Sequence, residues 1–502
     1  MHIAFLNPQG NFDPADSHWT EHADFGGQLV YVKELALAMG ELGHRVDIIT
    51  RRIMDPDWPQ FAAFLDGYPG RPEANVRILR IPCGPDRFLP KEELWPHLGP
   101  DWVSGILDFY RNEGALPHAF TAHYADGGLA AALIRRETGI PFTFTAHSLG
   151  AQKMDKLGAS PGDLADLDAR YHFARRVAAE RVSMSHAGCI VASTRQERME
   201  QYSHRVYRGA VDVNDEARFA VVPPGVNRRI FSPLPAPADG NVRRRIEAAI
   251  VRDVSAERRG LPLVVCSSRL DRKKNHLGLV RAFVQSERLR AAANLALVVR
   301  GLDDPLRQRD QLRGEERAIL DEVAALLDEH GLWDAVVSFT LDSQQELAAA
   351  YRHLATRRSV FALTALYEPF GLAPLEAMSC GLPAVVTKNG GPDESMREGE
   401  QKFGVLVDPE DPNDIARGLL EILADDDAWN RYREAGIRRV VSRYTWERTA
   451  AGYLAAVEAM SGREHAAGEL PIPTYFTHPT EETDVPLADL GVLYFDTHGE
   501  GG

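Results

Sequence analysis

Cysteine is scarce. The 502 residues contain four (Cys83, Cys189, Cys266, Cys380), far apart and without Cys-x-x-Cys spacing, which argues against a cysteine-built zinc site and a disulfide framework. No apolar stretch reaches the roughly 18 to 20 residues that span a bilayer, and the N-terminal MHIAFLNPQG has no cationic segment followed by an apolar run. Neither export nor membrane insertion is expected, and a reducing cytoplasm is the expected location. Basic blocks are also missing: 57 Lys and Arg stand against 72 Asp and Glu, for a net charge of -15, so neither nucleic acid nor an anionic membrane is the expected partner. With 44% hydrophobic and 26% charged residues, the chain is neither disordered, collagenous nor a coiled coil. At roughly 100 to 200 residues per domain, its length predicts two to four domains.

What is present is a series of short apolar runs alternating with amphipathic helical stretches, the pattern of parallel sheets covered on both faces by helices. One series runs from a strand at 2–7, through a helix at about 28–42 closed by Gly43, to strand-like runs at 45–50, 76–81, 119–122, 142–146 and 189–193. A second begins near Leu261 with LPLVVCSS and continues through LALVVRG, AVVSFT, SVFALT, AVVT and GVLV. Between them, VVPPGVNRRIFSP and PLPAPADG read as a linker, with the boundary between about 223 and 258. The fold class expected is α/β, with two doubly wound Rossmann-like domains at 1–235 and 236–462. A tail follows at 463–502 with eight acidic residues against one basic. Its segment GELPIPTYFTHP is too rich in proline and turn residues for a long helix.

In open α/β sheets ligands bind beyond the carboxyl ends of the strands, so polar and glycine-rich segments just after strands are the candidates. Gly26-Gly27-Gln28 lies between a strand and a helix start, where free amides attract anions, although an ordinary turn uses glycine equally well. The spacing is not Gly-x-Gly-x-x-Gly. His147, Ser148 and Lys153 follow a strand end; Lys91, Arg175 and Arg176 are further cations, suited to a phosphate or to a solvated helix face. Arg269 and Lys274, in SSRLDRKKN, directly follow a strand and suit a diphosphate. In Tyr367-Glu368-Pro369-Phe370-Gly371-Leu372-Ala373-Pro374-Leu375-Glu376, a loop enters a helix whose first amides, around Phe370, Gly371 and Leu372, suit the same diphosphate. Glu376 and Glu368 are placed to accept hydrogen bonds from vicinal hydroxyls. A glycosidase pair would need carboxylates on opposite sides of one bond, whereas here one loop and its own helix carry both.

Taken together, Glu368-x7-Glu376, Arg269, Lys274, Gly26-Gly27-Gln28 and His147 resemble the retaining, nucleotide-sugar-dependent glycosyltransferases of the GT-B fold, over about residues 1–460. Within them the chain looks closest to the bacterial sucrose-phosphate synthases, through LNPQGNFDPADS, GGQLVYVKELA, RFLPKEELWP, HYADGG, HSLGAQK, SSRLDRKKNH and YEPFGLAPLEAM. The resemblance implies two domains facing a central cleft and transfer of glucose from a nucleoside diphosphate glucose, UDP-glucose in the first instance, to fructose 6-phosphate. It places Gly26 and Gln28 at the acceptor or the donor diphosphate, and Lys91, Tyr124, Ser148, Lys153, Arg175 and Arg176 around the acceptor and its phosphate. Arg269 and Lys274 would hold the donor diphosphate, Glu376 the ribose, Glu368 the transferred glucose, and His147 would contact the donor sugar near its 6-hydroxyl.

It also implies retention at the anomeric carbon, the acceptor hydroxyl attacking on the face the diphosphate leaves and passing its proton to the departing oxygen. No side chain is an obvious nucleophile, and without an Asp-x-Asp pair in a suitable loop no metal or other cofactor is expected. Ala146 departs from the related Gly-His-Ser pattern. No phosphatase-like domain follows, so a separate sucrose-phosphate phosphatase is expected as a partner, and the tail, with Tyr475-Phe476, is expected to cross back onto the first domain. Base recognition is expected near Phe339 to Gln344. Free fructose (a sucrose synthase) and GDP-mannose (a mannosylfructose-phosphate synthase) remain open as alternatives, although three cations favour a phosphorylated acceptor. An idle sugar-phosphate sensor is the reading outside enzymes.

Overall fold

The structure, a computed structural model, describes residues 1–460 and 469–495 apart from Thr20, Glu21 and Ala23. The chain divides into two compact units, one comprising Met1–Pro223 with Trp446–Gly502, the other Pro224–Thr445.

In the first unit eight strands form one sheet: β1 (His2–Leu6), β2 (Arg45–Arg52), β3 (Leu65–Gly67), β4 (Val76–Pro82), β5 (Ala119–His123), β6 (Phe142–Thr145), β7 (Cys189–Ala192) and β8 (Phe219–Val221). Their order is β3-β4-β2-β1-β5-β6-β7-β8, and every pairing is parallel except β3 with β4. HIAFL in β1 and AFTAH in β5 are buried at every position, because helices cover both faces and no solvent side selects polar residues. From β1 the chain first builds outward through β2 and β4, then returns to build the other way from β5. The order therefore reverses between β1 and β5, which opens a crevice at their carboxyl ends.

The second unit carries a six-stranded parallel sheet: β9 (Leu263–Ser267), β10 (Asn294–Val298), β11 (Val336–Phe339), β12 (Val360–Leu363), β13 (Ala384–Thr387) and, after a short antiparallel pair β14 (Arg397–Glu398) and β15 (Gln401–Lys402), β16 (Val405–Val407). The order β11-β10-β9-β12-β13-β16 reverses between β9 and β12, so the equivalent crevice lies beyond Ser267 and Leu363.

The division corrects the boundaries expected from sequence. It falls at Pro223/Pro224, and residues 224–235 belong to the second unit. At the other end the Trp446–Met460 helix, expected in the second domain, joins the first. Its Trp446, Ala450, Tyr453 and Leu454 share a core with Leu29, Tyr31 and Leu35. Tyr453 fixes the packing through polar contacts: its hydroxyl lies 3.0 Å from that of Tyr31 and 2.6 Å from Thr145 Oγ1.

The described part of the tail also packs on the first unit. Tyr475 and Phe476 are buried in its core, beside Trp95. At Gly99 an added Cβ would lie 2.1 Å from the Phe476 carbonyl oxygen, so a side chain there would displace the strap. Glu469 accepts from Arg135 at 2.6 Å, and the short Leu487–Phe495 helix is tied through Tyr494, which donates to Asp155 at 2.5 Å. The acidic excess of the tail is thus partly matched by basic groups of the first unit; Arg463, Glu464, Asp496 and Glu500 lie outside the described residues.

The first unit is also held at the end of the sheet away from the crevice. Asp47 in β2 is fully buried and accepts from His2 Nε2 at 2.7 Å, Arg77 Nε and Nη2 at 2.8 Å each, and the Tyr110 hydroxyl at 2.8 Å. Burial alone would raise its pKa, but the His2 and Arg77 hydrogen bonds override it and hold the carboxyl far below the usual range. Removing such a carboxylate strands its buried partners, at a cost of about 3–5 kcal/mol. Asp47→Ala should therefore lower the free energy of unfolding at pH 7, read from urea denaturation, by that much and shift the midpoint down accordingly. Because the carboxylate's contribution is full above the unfolded pKa of about 3.9 and is lost toward the lower folded value, the difference from wild type should shrink below about pH 4. A midpoint unchanged at pH 7 would contradict this.

Candidate functional site

At the crevice of the first unit, a small pocket is lined by Gln9 beyond β1, by Tyr124, Ala125 and Asp126 beyond β5, and by Lys91, Glu92, Trp95, Tyr171 and Arg176. Tyr124 opens the Tyr124–Thr138 helix at φ 64°, in the left-handed region. Lys91 Nζ donates to Asp24 Oδ1 at 2.9 Å; burial works to lower its pKa, but the Asp24 bond and charge win and raise it. Asp24 precedes Gly26-Gly27-Gln28, so this ion pair ties the glycine loop to the pocket. Gly27 is exposed, a Cβ there would meet nothing, and the first amides of the Gly27–Glu41 helix have no side-chain cap, leaving them open to an anion.

Arg176 extends from the Phe173–His186 helix, donating to Glu180 Oε1 at 3.0 Å and to the Ser148 carbonyl at 2.8 Å. Glu180 is buried and also accepts from the Gly150 amide at 2.8 Å and the Tyr207 hydroxyl at 2.5 Å. One carboxylate thus fixes both the guanidinium and the start of the Gly150–Leu157 helix. Lys153, one turn along that helix, lies 3.7 Å from the Tyr171 ring centre; burial, then the Arg176 charge, lower its pKa.

The Ser148 amide donates to the Ala146 carbonyl at 2.6 Å across His147, which sits at φ 55° in a three-residue γ-turn. The positive φ falls on His147 and not on Ala146, so alanine in place of glycine at 146 is accommodated. His147 Nε2 lies 2.9 Å from His123 Nδ1, and the ring packs against those of His123, Tyr31 and Tyr124. Burial pushes the His147 imidazole down to about 3 and His123 well below its ordinary value. At neutral pH both are uncharged, so His147 is a hydrogen-bonding group and not a cation.

Arg175 is put to another use than the one expected. Its Nε and Nη2 donate to Asp484 at 2.8 and 2.6 Å, and its guanidinium lies 4.4 Å from the Tyr475 ring centre. It anchors the tail and does not line the pocket, because successive residues on a helix point in different directions.

In the second unit the loops after β9 and β12 meet. Lys274 Nζ donates to Glu368 Oε2 at 2.7 Å, and the Leu366 amide to the Lys273 carbonyl at 2.9 Å. Asn275, at φ 55°, clamps the junction with bonds to the Thr364 and Pro409 carbonyls at 3.0 and 2.7 Å. Arg269 is exposed and makes no ion pair among the described residues.

Gly371, at φ 89°, precedes the Leu372–Ser379 helix, whose first amides no side chain caps. Phe370 packs against Tyr444. Glu376, in the second turn, has no side-chain hydrogen bond or ion pair among the described residues, and burial pushes its pKa up to about 7. Such a carboxylate gains most from a ligand that donates two hydrogen bonds.

Gly390 and Gly391 were not singled out from sequence, yet they hold this loop. A Cβ at Gly390 would lie 2.1 Å from the Glu368 carbonyl oxygen, and one at Gly391 would lie 2.5 Å from that of Pro369. A glycine pair directly after strand β13 was the available signal. Glu180 was not singled out, although Arg176 lies only four residues before it; Gln9 and Asp126 fall within LNPQGNFDPADS and HYADGG, but they are 117 residues apart and nothing local shows that they meet. In the segment expected to read the base, the Thr340 carbonyl accepts from Arg245 at 2.8 Å. Among the described residues no three His, Cys, Asp or Glu side chains form a metal ligand set.

Residues 26–225 match the glycosyl transferase 4-like domain, and residues 249–439 match glycosyl transferases group 1. A probable sucrose-phosphate synthase of Thermosipho melanesiensis is 43% identical over 460 residues, which is 91% of this chain and 96% of that protein. The sucrose-phosphate synthase of Spinacia oleracea is 32% identical over 92% of this chain, which spans 48% of that longer protein. Among solved structures, a sucrose-phosphate synthase from Thermosynechococcus elongatus is similar with a TM-score of 0.61 and 25% identity, covering 91% of this chain and 98% of its own. Anabaena HepE in complex with UDP shares the fold, with a TM-score of 0.58 at 15% identity. The chain belongs to the sucrose-phosphate synthase family, hexosyltransferases of the GT-B fold with two Rossmann-like units.

Proposed function

We propose that the protein transfers glucose from UDP-glucose to fructose 6-phosphate, with retention at the anomeric carbon, giving sucrose 6-phosphate. The observation that carries the acceptor is the first unit's pocket, where Lys91 and Arg176 stand together with Lys153 close by. Free fructose offers these cations no charge, whereas a phosphate accepts charge-assisted hydrogen bonds from them in addition to those that Lys91 and Arg176 make with Asp24 and Glu180. The donor reading rests on the second unit. Glu376 receives the ribose diol, Glu368 the glucose hydroxyls, and Arg269, Lys274 and the free amides at Phe370 to Leu372 meet the diphosphate.

Charge builds on the diphosphate as the glycosidic bond breaks, and fixed cations and amides stabilise it without reorganising. The acceptor hydroxyl attacks on the face the diphosphate leaves, and its proton passes to the departing oxygen. Neutral His147 serves as a hydrogen-bonding group toward a sugar hydroxyl. The reading asks for no cofactor. The product retains its phosphate, so a phosphomonoester hydrolase is the reaction class that consumes it. A reducing cytoplasm suits the four buried free thiols.

The direct test supplies UDP-glucose, ADP-glucose or GDP-mannose with fructose 6-phosphate or fructose and identifies the product. Sucrose 6-phosphate formed from UDP-glucose supports the reading; product from free fructose alone, or from GDP-mannose alone, would replace it with one of the alternatives.

Two variants probe the assignments. Arg176→Ala should raise the KM for fructose 6-phosphate at least about tenfold with the donor KM unchanged, and equal loss for both substrates would contradict the acceptor role. For Glu376, a diol binds the ionised carboxylate, so binding releases a proton wherever the free group is protonated. UDP affinity, measured by calorimetry, should rise about tenfold from pH 6 to pH 8 through the free value near 7. Glu376→Gln should bind more weakly and lose that dependence. A wild-type affinity that is flat with pH would contradict the ribose role.

A further inference from the structure

We propose that Asp126, oriented by Gln9, is an acceptor-binding residue that reads the ring hydroxyls of the sugar phosphate and rejects bare phosphate; the inference rests on the sugar-phosphate reading above. Asp126 is 4% exposed, yet it lines the pocket shared by Lys91 and Arg176. Among the described residues it forms no ion pair. Its donors are the Gly127 amide at 2.8 Å, the Gln9 amide nitrogen at 3.2 and 3.3 Å from its two oxygens, and its own backbone amide. All are neutral and the Gln9 bond is long; the one cation that acts on it, Arg176, does so through its charge without a hydrogen bond.

A carboxylate has about four lone-pair positions, and burying one without an ion pair is costly. A helix-start cap alone would be served by neutral Asn or Ser. What distinguishes a carboxylate here is its capacity to accept further hydrogen bonds from whatever fills the pocket. Gln9 spends its amide nitrogen on Asp126, and its oxygen, with no partner among the described residues, adds a second acceptor.

The pocket is therefore polar in a directional sense. Lys91 and Arg176 supply positive charge, Asp126 and Gln9 supply acceptors, Glu92 adds a half-buried second carboxylate beside Lys91, and Trp95 and Tyr124 supply ring surface. A sugar phosphate has the complementary layout: an anion at one end, hydroxyl donors along the ring, and C–H faces between. Inorganic phosphate satisfies the cations but brings negative charge toward Asp126 without the ring that would donate to it. The carboxylate thus penalises the competitor while it binds the substrate, and specificity gains from both effects.

Steady-state kinetics of Asp126→Asn test this, with inorganic phosphate as the competing probe. The KM for fructose 6-phosphate should rise about ten- to a hundredfold, the range expected for lost hydrogen bonds to a charged group. The donor KM should stay unchanged and the phosphate Ki should stay or fall. A KM for fructose 6-phosphate within twofold of wild type overturns the proposal. So does a parallel rise of that KM and of the phosphate Ki, which marks a collapsed pocket. Should Asp126→Asn not fold, Gln9→Met carries the same test: a raised acceptor KM at constant donor KM supports the pair's role, and an unchanged one overturns it. Wild-type enzyme that never saturates with fructose 6-phosphate overturns the acceptor reading and this inference together, whereas saturable wild type with unaltered variants overturns Asp126 alone.

Discussion

The reversal of strand order is the constraint on which the rest of the structure depends. Each sheet grows outward in both directions from a central strand, β1 in one unit and β9 in the other. At the reversal the loops from neighbouring strands diverge, and backbone and side-chain groups that would elsewhere be covered face open space. Gln9, Tyr124 and Asp126 lie at one such point; Lys274 and Glu368 lie at the other. The same topology that buries every residue of β1 and β5 therefore selects where polar chemistry can stand. Glycines do the fine adjustment, most visibly Gly390 and Gly391, which let one loop pass against the backbone of Glu368 and Pro369.

The charged groups at these points are held before any ligand arrives. Lys91 is paired with Asp24, Arg176 with Glu180 and Lys274 with Glu368. Such pairs cost desolvation energy and stabilise the fold little by themselves, but they fix the position of each cation. A substrate anion then meets groups that need not reorganise, which is the condition for electrostatic stabilisation of charge in a transition state. Glu376 and Asp126 differ: these carboxylates make no ion pair among the described residues, and desolvation pushes their pKa values up to about 7 and about 6. In the reading developed here, sugar hydroxyls complete them.

Much of the architecture was legible in the sequence because buried parallel strands read as short apolar runs and their loops as polar, glycine-marked breaks. The segments from Gly26 to Gln28 and from Glu368 to Glu376 stood out because each motif lies within about ten consecutive residues. What escaped depends on distant pairs. The Trp446–Met460 helix looks like a continuation of the second unit until Tyr453 is seen against Tyr31 and Thr145. Arg175 and Arg176 are adjacent in sequence and alike in chemistry, yet one meets Asp484 of the tail and the other Glu180. Nothing local separates them, since the helix alone decides which side chain faces which neighbour.

On this account the acceptor binds the first unit and the donor nucleotide the second. Hydrogen–deuterium exchange of the whole protein with each ligand separately tests it most directly. Fructose 6-phosphate alone should protect residues 147–153 and 171–180, and UDP alone should protect residues 269–275 and 366–378. Protection by UDP confined to the first unit, or by fructose 6-phosphate confined to residues 366–378, would contradict the assignment.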